Sequence, residues 1–551
     1  MWYNEGSKSK GDAGGMKDET VTIPKADYDE LLSSNARMAD AIRNLEEKVR
    51  LLQRARFGAS SEKSKYDDGS VQLSMEDVFN EVELCADAAA GAPAPEPDLT
   101  KVKAHTRKLH ATNPEKLPDD LEVIQEARDI PEAEKICKVC GQEMEQIGAD
   151  VIRKLSIVPA KLVIREITIP RYICKNCTTE DGPAKVVQAL AEHDFLPGSM
   201  CTPELAAWIM VQKFVLYSTL YRMEQDFGRQ GVALKRQTMS QWVLNASREY
   251  LKPVWQLMTK ELLRQDICHA DETTLQVLHE PGRAPQQKSY MWLFRTGRYA
   301  EHPVVIYRYE ASRSQEIPKA FLKDFRGYLH ADGYAGYHNL PGEISVVGCW
   351  AHARRKFDEA LTATSAASNA SSKAAKGKRY CDAIFRIEDE IRDLSPAEKL
   401  RVRKKKAQPI LLEFHAWLQS QMLLGKSALG RAVAYTRDQW PYLVNYLRDG
   451  RLECSNNRAE RSIKPFVMAR KNFLFANTPG GAQASAMIFS VIETAKECGL
   501  DPYKYLSWLL TEAPKADLQN EACVTALLPW NAPVEACGAN GGKAEGEGDA
   551  E

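Results

Sequence analysis

The chain has 551 residues, a length that exceeds one ordinary domain and predicts three or four folded units. Hydrophobic residues make up 44% of the chain and charged residues 27%. No stretch approaches the ~20 consecutive apolar residues of a membrane span, and residues 1–20 lack the apolar core of a secretory signal. The composition therefore excludes a membrane protein and predicts a cytoplasmic one, whose 13 cysteines are thiols or metal ligands rather than disulfides.

The net charge of −1 hides an uneven distribution of charge along the chain. Residues 76–98 contain seven acids and no Lys or Arg, and residues 531–551 contain five acids and one Lys. Without these segments, which carry −7 and −4, the rest of the chain carries +10. This excess of positive charge is consistent with a protein that binds phosphate groups, although many proteins that bind no nucleic acid have a similar excess.

A heptad pattern follows a polar segment that is predicted to be a disordered tail, residues 1–25. Leu31, Met38, Leu45 and Leu52 recur every seven positions, and Tyr28, Asn35, Ile42 and Val49 stand three positions before them. This spacing predicts a coiled coil over 26–57, and an Asn at an a position favours a parallel dimer. The alternative is one amphipathic helix packed against its own chain.

Two CxxC pairs occur in residues 131–180, after a predicted linker with a basic segment at 58–130. A gap of two residues lets both thiolates of a pair reach one ion at Zn–S distances near ~2.3 Å. The pairs therefore predict a zinc ribbon with one structural Zn²⁺, which either binds DNA or is purely structural. Its ligands would be Cys137, Cys140, Cys174 and Cys177.

Residues 185–262 are predicted to be helical. The first long helix begins at Thr202, with Thr as its cap and Pro203 in its first turn, and continues to Phe227. Segments 214–227 and 237–245 can form a helix-turn-helix, but the turn between them is longer than usual, so helical scaffolding is the alternative. Its DNA-reading residues would include Lys235, Arg236 and Gln237.

The central part of the chain changes to five strand-like segments, at 267–278, 289–297, 303–309, 327–332 and 344–349, with a helical stretch at 312–323. The first and fourth segments carry the same tripeptide, His-Ala-Asp, which ends in Asp271 and Asp332. A helical segment that begins near Asn456 supplies a third carboxylate, Glu460. Three such acids suit two cations about 4 Å apart, which activate the attacking oxygen and stabilise the leaving one in phosphoryl transfer. Taken alone, an Asp after a strand is a turn former more often than a metal ligand.

Basic residues follow both the fifth strand and Glu460, and they are predicted to contact DNA phosphates because the guanidinium fork suits phosphate. The alternative is a solvated helix surface, which is also the interpretation favoured for the basic run 401–406. His269 and His330 are predicted to pack within the strands, and Tyr334 and Tyr337 to pack rather than act as nucleophiles. The predicted DNA contacts are Arg354, Arg355, Lys356, Arg461, Lys464, Arg470 and Lys471.

Several motifs together resemble transposases of the insertion sequence 66 family, over roughly residues 27–530. They are the heptads, Phe57-Gly58-x-x-Ser61-Glu62-Lys63, the four cysteines, Asp332-Gly333-Tyr334-Ala335-Gly336-Tyr337, Cys349-Trp350-Ala351-His352-x-Arg354-Arg355-Lys356-Phe357, Asn456-Asn457-x-x-Glu460-Arg461, Arg470-Lys471-Asn472-x-Leu474-Phe475 and Leu528-Pro529-Trp530.

The resemblance implies a multidomain α/β protein with an RNase H-like DDE catalytic domain, in which Asp271, Asp332 and Glu460 hold two Mg²⁺ or Mn²⁺ ions. It implies cleavage at the ends of a bacterial insertion sequence and transfer of the freed 3′-hydroxyl to a target. The implied partners are double-stranded DNA, a second copy or higher oligomer through the coil, and accessory proteins of the same element. We expect no membrane partner and a nucleoid-associated location.

The remaining boundaries follow from this resemblance. The RNase H-like core is expected at 263–357 and 451–515, with a helical insertion at 358–450 and a C-terminal tail at 516–551. Two rival functions remain open at this point. One is an RNase H-like nuclease that cuts DNA without joining strands, and the other is an inactive zinc-and-coil protein that only binds and regulates DNA.

Overall fold

The computed structural model of the chain describes residues 161–173, 186–188, 195–363, 372–421 and 427–538. The heptads, the linker at 58–130 and the four cysteines of the predicted ribbon lie outside these residues. The described residues divide into two compact units, one formed by Thr259–Pro479 and the other by the residues up to Met258 and from Gly480 onward. Within the described ranges no helix is both long and apolar enough to cross a membrane.

The unit that contains the earlier residues begins with a short antiparallel hairpin, in which Tyr172 pairs with Val187. The segment that joins its strands contains Cys174 and Cys177. The sequence from Val151 to Tyr172 alternates apolar and charged residues as strands do, but residues 161–170 form no helix or strand and are exposed. The elements up to residue 264 are β1 (Arg171–Ile173), β2 (Val186–Gln188), α1 (Pro203–Phe214), α2 (Leu220–Arg229), α3 (Arg236–Ala246), a π-helical turn (Ser247–Leu251) and α4 (Lys252–Arg264).

The helix predicted from Thr202 to Phe227 is in fact two helices. The Thr202 hydroxyl caps α1 as predicted, accepting a hydrogen bond from the Leu205 amide at 3.3 Å. The helix ends at Phe214, and Thr219 caps the next one by accepting from the Arg222 amide at 3.3 Å. An internal Thr can end a helix because its hydroxyl competes for backbone groups, a choice that apolar spacing does not reveal.

The other unit is built on a mixed five-stranded sheet. Its elements are β3 (Ile267–Gln276), β4 (Lys288–Thr296), β5 (Val305–Glu310), α5 (Glu316–Phe321), β6 (Gly327–His330) and β7 (Ile344–Val347). The strand order is β5-β4-β3-β6-β7. The pairs β3–β4 and β4–β5 are antiparallel, while β3–β6 and β6–β7 are parallel. All five strands and the helix lie where the sequence predicts them.

Both faces of this sheet are covered, because residues 291–296 of β4 are buried without alternation. On one face the Phe321 ring of α5 stacks on Phe294 with centroids 4.0 Å apart. On the other face the Arg295 guanidinium donates to the Ser462 hydroxyl at 2.5 Å, from a helix, α11 (Asn457–Phe473). Each large apolar side chain buried in these layers contributes about 1.5–3 kcal/mol.

A helical region joins β7 to α11. It comprises α6 (Trp350–Thr362), α7 (Lys373–Glu390), α8 (Pro396–Val402), a π-helical turn (Arg403–Ala407), α9 (Gln408–Ser420) and α10 (Ala428–Leu443). Trp350, Phe357 and Phe414 are fully buried at its centre. The sequence predicts helices here, but α6 begins at Trp350, so the boundary expected at 357/358 falls inside a helix.

Two expectations for the C-terminal part require correction. Residues from Gly480 onward belong to the unit that contains residues up to Met258, so the core assigned to 451–515 ends earlier than predicted. The tail predicted at 516–551 is partly folded, since Cys537 is fully buried and its carbonyl accepts from the Asp501 amide at 2.9 Å. The helices of this part are α12 (Pro479–Glu497), α13 (Pro502–Glu512), α14 (Glu521–Ala526) and α15 (Val534–Cys537).

The basic run at 401–406 is not uniformly solvated, because the Arg403 residue is only 2% exposed. Its guanidinium donates to both Glu388 oxygens, at 2.8 and 2.6 Å. It also donates to the carbonyls of Tyr446, Asp449 and Leu452 at 3.3, 3.2 and 2.8 Å. One side chain therefore holds the segment that leads into α11 against the helical region.

We expect Arg403→Met to destabilise this unit by about 3–5 kcal/mol, because it leaves the Glu388 carboxylate buried without its partner. Thermal and chemical unfolding of the full chain, followed by circular dichroism, measures the change. Arg401→Met, at an exposed position of the same run, is the matched control and should change stability by less than about 0.5 kcal/mol. Equal effects of the two substitutions would contradict this role of Arg403.

Candidate active site

The acids predicted in the first and fourth strands are brought together by the parallel pairing of β3 with β6. In this register His269 is opposite His330, and Asp271 and Asp332 each follow two residues later in the chain, Asp332 beyond the end of β6. The two histidine rings stack with centroids 4.2 Å apart and are fully buried. The prediction that these histidines pack within the strands is therefore confirmed.

Asn456 links β3 to α11, the helix that carries the third acid. Its side chain is buried, its Nδ2 donates to the Ala270 carbonyl at 2.8 Å, and its Oδ1 lies 3.0 Å from His269 Nδ1. Because Nδ2 is oriented by the carbonyl, Oδ1 must accept, and His269 Nδ1 carries the proton. Asn456 thus fixes both the start of α11 and the tautomer of His269.

The other ring nitrogen of His269 lies 3.1 Å from Glu453 Oε2, and Arg458 lies 3.2 Å from the same oxygen. Burial lowers the pKa of His269, while the hydrogen bond and charge of Glu453 oppose that shift. Burial acts to raise the pKa of Glu453, but His269 and Arg458 hold it well below the usual range.

The pKa of Asp271 is affected by the charges of the two other predicted acids. Burial, first of all, raises the pKa of Asp271 well above its usual range. The negative charges of Glu272, Asp332 and Glu460 raise this pKa further. Against this, the carboxylate accepts a hydrogen bond from the Glu272 amide at 2.8 Å. Asp332 and Glu460 therefore lie close enough to Asp271 for their charges to affect its pKa.

Glu272, the residue after Asp271, is a fourth acid of this site, and no motif in the sequence marks it. Its side chain is 2% exposed and ion-pairs with Arg313. The Tyr337 hydroxyl donates to Glu272 Oε2 at 2.5 Å, and the Arg313 guanidinium lies over the Tyr334 ring, 3.9 Å from its centroid. Both tyrosines are thus packing and positioning residues, as predicted.

Glu460 lies in the first turn of α11, close to the start of α6. Its Oε1 is 3.8 Å from His352 Nε2, and its Oε2 is 3.8 Å from Arg355 Nη2. Cys349, at the N-terminal cap of α6, accepts a hydrogen bond at Sγ from the Asn456 amide at 3.1 Å. Burial raises the pKa of this thiol to about 12, and the charge of Glu460 acts in the same direction.

The predicted DNA-contacting residues differ in what they do in the fold. Arg354 Nε donates to Asp382 Oδ1 of α7 at 2.5 Å, so this side chain ties two helices together. Arg470 donates to the hydroxyls of Thr273 and Thr274 at 3.1 and 2.8 Å, which ties α11 to β3. Lys356 lies 3.5 Å from Glu359 on its own helix. Internal contacts of this kind cannot be read from the sequence.

Three other predicted basic positions on α11 are at the surface: Arg461, Lys464 and Lys471 are all exposed. The predicted reading residues Lys235, Arg236 and Gln237 belong to the other unit and are also exposed, at the start of α3. Arg236 lies over the Tyr221 ring at 5.5 Å and within 4.0 Å of Glu224, both on α2. The connection between α2 and α3, residues 230–235, is longer than the three or four residues of a usual helix-turn-helix.

Fold and site together define a multidomain protein with a mixed α/β sheet domain and partly buried acids at the sheet. Comparison with known families adds matches along most of the chain. They are described as Transposase IS66 family (residues 198–484), IS66 C-terminal element (490–530), zinc-finger binding domain of transposase IS66 (134–178) and Transposase C of IS166 homeodomain (44–125). The chain belongs to the transposase IS66 family.

The family assignment confirms the resemblance that the sequence motifs suggested. The four predicted ribbon cysteines fall inside the zinc-finger match, and the homeodomain match covers part of the heptads and most of the predicted linker. Similar curated proteins include the uncharacterized proteins y4qI and y4jD of Sinorhizobium fredii. The first is 31% identical over 92% of this chain and 91% of its own length. The second is 30% identical over 92% of this chain and 97% of its own length.

We expect Asp271→Asn to stabilise the chain in the presence of a chelator at pH 7.5. A raised folded-state pKa means that ionised Asp271 opposes folding, so its favourable contribution exists at low pH and is lost as pH rises from about 3.9 through the folded value. Each unit of pKa shift corresponds to about 1.4 kcal/mol, which raises Tm by roughly 2–5 °C. Thermal unfolding between pH 4 and 8 measures this, and the gain should vanish towards pH 4.

Adding Mg²⁺ should then stabilise the wild type more than the Asn variant. Glu343→Gln, which removes an exposed acid of the same unit, should leave both the Tm and its response to Mg²⁺ unchanged. An Asn variant that melts below the wild type at pH 7.5 without metal would contradict the electrostatic account of the cluster.

Proposed function

We propose that this chain is a DNA transposase in which Asp271, Asp332 and Glu460 hold two divalent ions and catalyse cleavage and strand transfer at element ends. The observation that supports the proposal is that the charges of Asp332 and Glu460 raise the pKa of Asp271, while the β3–β6 register ends just before Asp271 and Asp332. The strand order, with a hairpin on one side of β3 and parallel strands on the other, supports an RNase H-like core.

The acid cluster fits hard cations such as Mg²⁺ or Mn²⁺, which prefer oxygen ligands. Several like charges close to a desolvated carboxylate are unfavourable unless positive charge compensates them. The pKa of Asp271 is raised because the protein supplies too little positive charge there. Glu460 Oε1 is buried and makes no hydrogen bond within the described residues. Both features support metal ligation by this cluster.

When bound, such ions supply an activated oxygen nucleophile and stabilise the leaving oxygen in phosphoryl transfer. The chain's own residues position the acids. Asn456 and the stacked pair His269–His330 hold α11, β3 and β6 in one arrangement, and Arg313 forms an ion pair with Glu272. The proposed chemistry requires no covalent protein–DNA intermediate, so no Ser or Tyr nucleophile is assigned.

The proposed partner is double-stranded DNA, supported by the zinc-finger and homeodomain matches and by exposed basic residues on α11. We also propose one zinc ion on Cys137, Cys140, Cys174 and Cys177, and a dimer or higher oligomer formed through the heptads at 26–57. Accessory proteins of the same element belong to this proposal as further partners.

A strand-transfer assay tests this proposal. It contains purified protein, a labelled fragment that bears the element end, a plasmid target and Mg²⁺. Asp271→Asn, Asp332→Asn and Glu460→Gln should each lower strand transfer by at least about 10²-fold, because each removes charge stabilisation that acts in the transition state. Binding of the end fragment should persist. Glu343→Gln is the matched control and should retain activity.

The outcomes separate the competing functions. Cleavage without joined product would favour a nuclease over a transposase. Binding of ends without metal-dependent cleavage, even when the element's other proteins are added, would favour a regulatory DNA-binding protein. Activity that survives in one acid variant would remove that residue from the proposed triad.

The exposed lysines of α11 give a second test. Lys464→Ala and Lys471→Ala should weaken DNA binding at all sequences, and each should reduce the slope of log K against log salt by about 0.9 if it contacts one phosphate. Fluorescence anisotropy over a series of salt concentrations measures this slope. Arg354→Ala should instead lower the Tm, because it removes the hydrogen bond to Asp382 that ties α6 to α7. An unchanged slope in both lysine variants would exclude α11 from the DNA contact.

A further inference from the structure

Two helix starts meet beside the acid cluster and bring three different metal-binding side chains together. Cys349 caps α6, His352 follows one turn later, and Glu460 lies in the first turn of α11. The thiol sulfur, one imidazole nitrogen and one carboxylate oxygen of these residues all lie within 4.8 Å of one another. They belong to one compact unit, and the predicted ribbon cysteines are not among them.

The backbone fixes this arrangement at two points. The Trp350 amide, in the first turn of α6, donates to the Cys454 carbonyl at 3.0 Å. The Asn456 amide, at the start of α11, donates to Cys349 Sγ at 3.1 Å. Cys349 is 1% exposed and does not adjust freely, so the two helix starts are held in register with each other.

The polar atoms of the cluster are incompletely satisfied by protein groups. Glu460 Oε1 and His352 Nδ1 are both buried without a hydrogen-bond partner among the described residues. The gap of 3.8 Å between His352 Nε2 and Glu460 Oε1 is too long for a hydrogen bond. Buried polar atoms without partners are rare in native proteins and indicate a group that the protein itself does not supply.

We propose that Cys349, His352 and Glu460 form a site for one Zn²⁺ ion, distinct in ligands from the zinc finger. A thiolate, an imidazole and a carboxylate are the set that Zn²⁺ accepts in tetrahedral coordination, with a fourth position open to water. The thiolate disfavours Mg²⁺, which selects oxygen ligands. The side chains of His352 and Glu460 are 22% and 28% exposed, which gives an ion access from solvent.

Closure around the ion requires only a small movement. Zn–S and Zn–N bonds of about 2.1–2.3 Å in a tetrahedral site place ligand atoms about 3.6 Å apart. The present separations, within 4.8 Å, therefore need to shrink by about 1 Å, which side-chain rotation of His352 and Glu460 can supply. On binding, Zn²⁺ replaces the proton of the Cys349 thiol, and that proton passes to solvent.

The site has a consequence that rests on the proposed function. Glu460 cannot serve Zn²⁺ together with Cys349 and His352 and also complete the Asp271–Asp332 cluster in the same geometry. Zinc at this site therefore removes the third acid from the proposed catalytic triad and inhibits strand transfer. Zinc binding itself does not depend on the triad assignment, so the two claims can be tested apart.

Zinc stoichiometry of the full-length protein tests the binding claim. After equilibration with Zn²⁺ and removal of loosely bound metal, the wild type should retain one ion more than Cys349→Ala and than His352→Gln. Cys381→Ala is the matched control, since Cys381 is a fully buried cysteine of α7 that is not part of the cluster. His352→Gln keeps the test valid if loss of the buried thiol prevents folding, and Tm values of all variants are compared without added zinc.

Metal-free protein loaded with Co²⁺ in place of Zn²⁺ reports on the ligands directly. The thiolate-to-cobalt absorption band should be equally strong in the wild type and in Cys381→Ala, and it should be weaker in Cys349→Ala, where only the cysteines of the zinc finger contribute. Equal zinc stoichiometry in the wild type and in both cluster variants, or a cobalt spectrum unaffected by Cys349→Ala, would overturn the proposal.

Inhibition is measured in the Mg²⁺-dependent strand-transfer assay with added Zn²⁺. The zinc concentration for half inhibition should be at least 10-fold higher for His352→Gln than for the wild type and Cys381→Ala, each compared with its own activity without zinc. Extra zinc bound without inhibition would leave the site in place and overturn the shared role of Glu460. Absence of strand transfer in every protein would contradict the proposed function, while stoichiometry would still decide the zinc site.

Discussion

Three parallel residue pairs hold β6 against β3, and the last of them sets His269 opposite His330. The acid cluster depends on this register, because Asp271 and Asp332 each stand two residues beyond that pair. A slip of one residue would turn one of the two carboxylates to the other face of the sheet. The stacked, fully buried rings resist such a slip, since they fill the space between the strands just before the acids.

Contacts at the start of α11 position Glu460, the third acid, near the other two. The Asn456 amide nitrogen reaches Ala270 of β3, and its backbone amide reaches Cys349 of α6. A single residue thus connects a strand and two helices, and Glu460 follows one helical turn later. Repulsion from the neighbouring carboxylates contributes to the raised pKa of Asp271, and bound cations would offset this repulsion.

Charged residues divide into those that hold the fold and those that remain at its surface. Arg354, Arg403 and Arg470 use their guanidinium groups on an acid, on buried carbonyls and on threonine hydroxyls. The planar fork suits such fixed geometry better than a lysine ammonium does. Lys464 and Lys471 remain exposed, so the basic residues near the acids combine structural and surface roles that their spacing in the chain does not separate.

The sequence by itself determined the five strands, the tripeptides that end in Asp271 and Asp332, the cap at Thr202 and the family, because alternation, capping chemistry and motifs are local properties. It misplaced what depends on distant contacts: the break between Phe214 and Leu220, the folded residues up to Gly538, and the burial of Arg403. Tertiary structure alone decided that Arg313 pairs with Glu272, and that Cys349 and His352 share a cluster with Glu460. These outcomes follow from packing between elements far apart in the chain, where burial and a partner's charge set the role of a side chain.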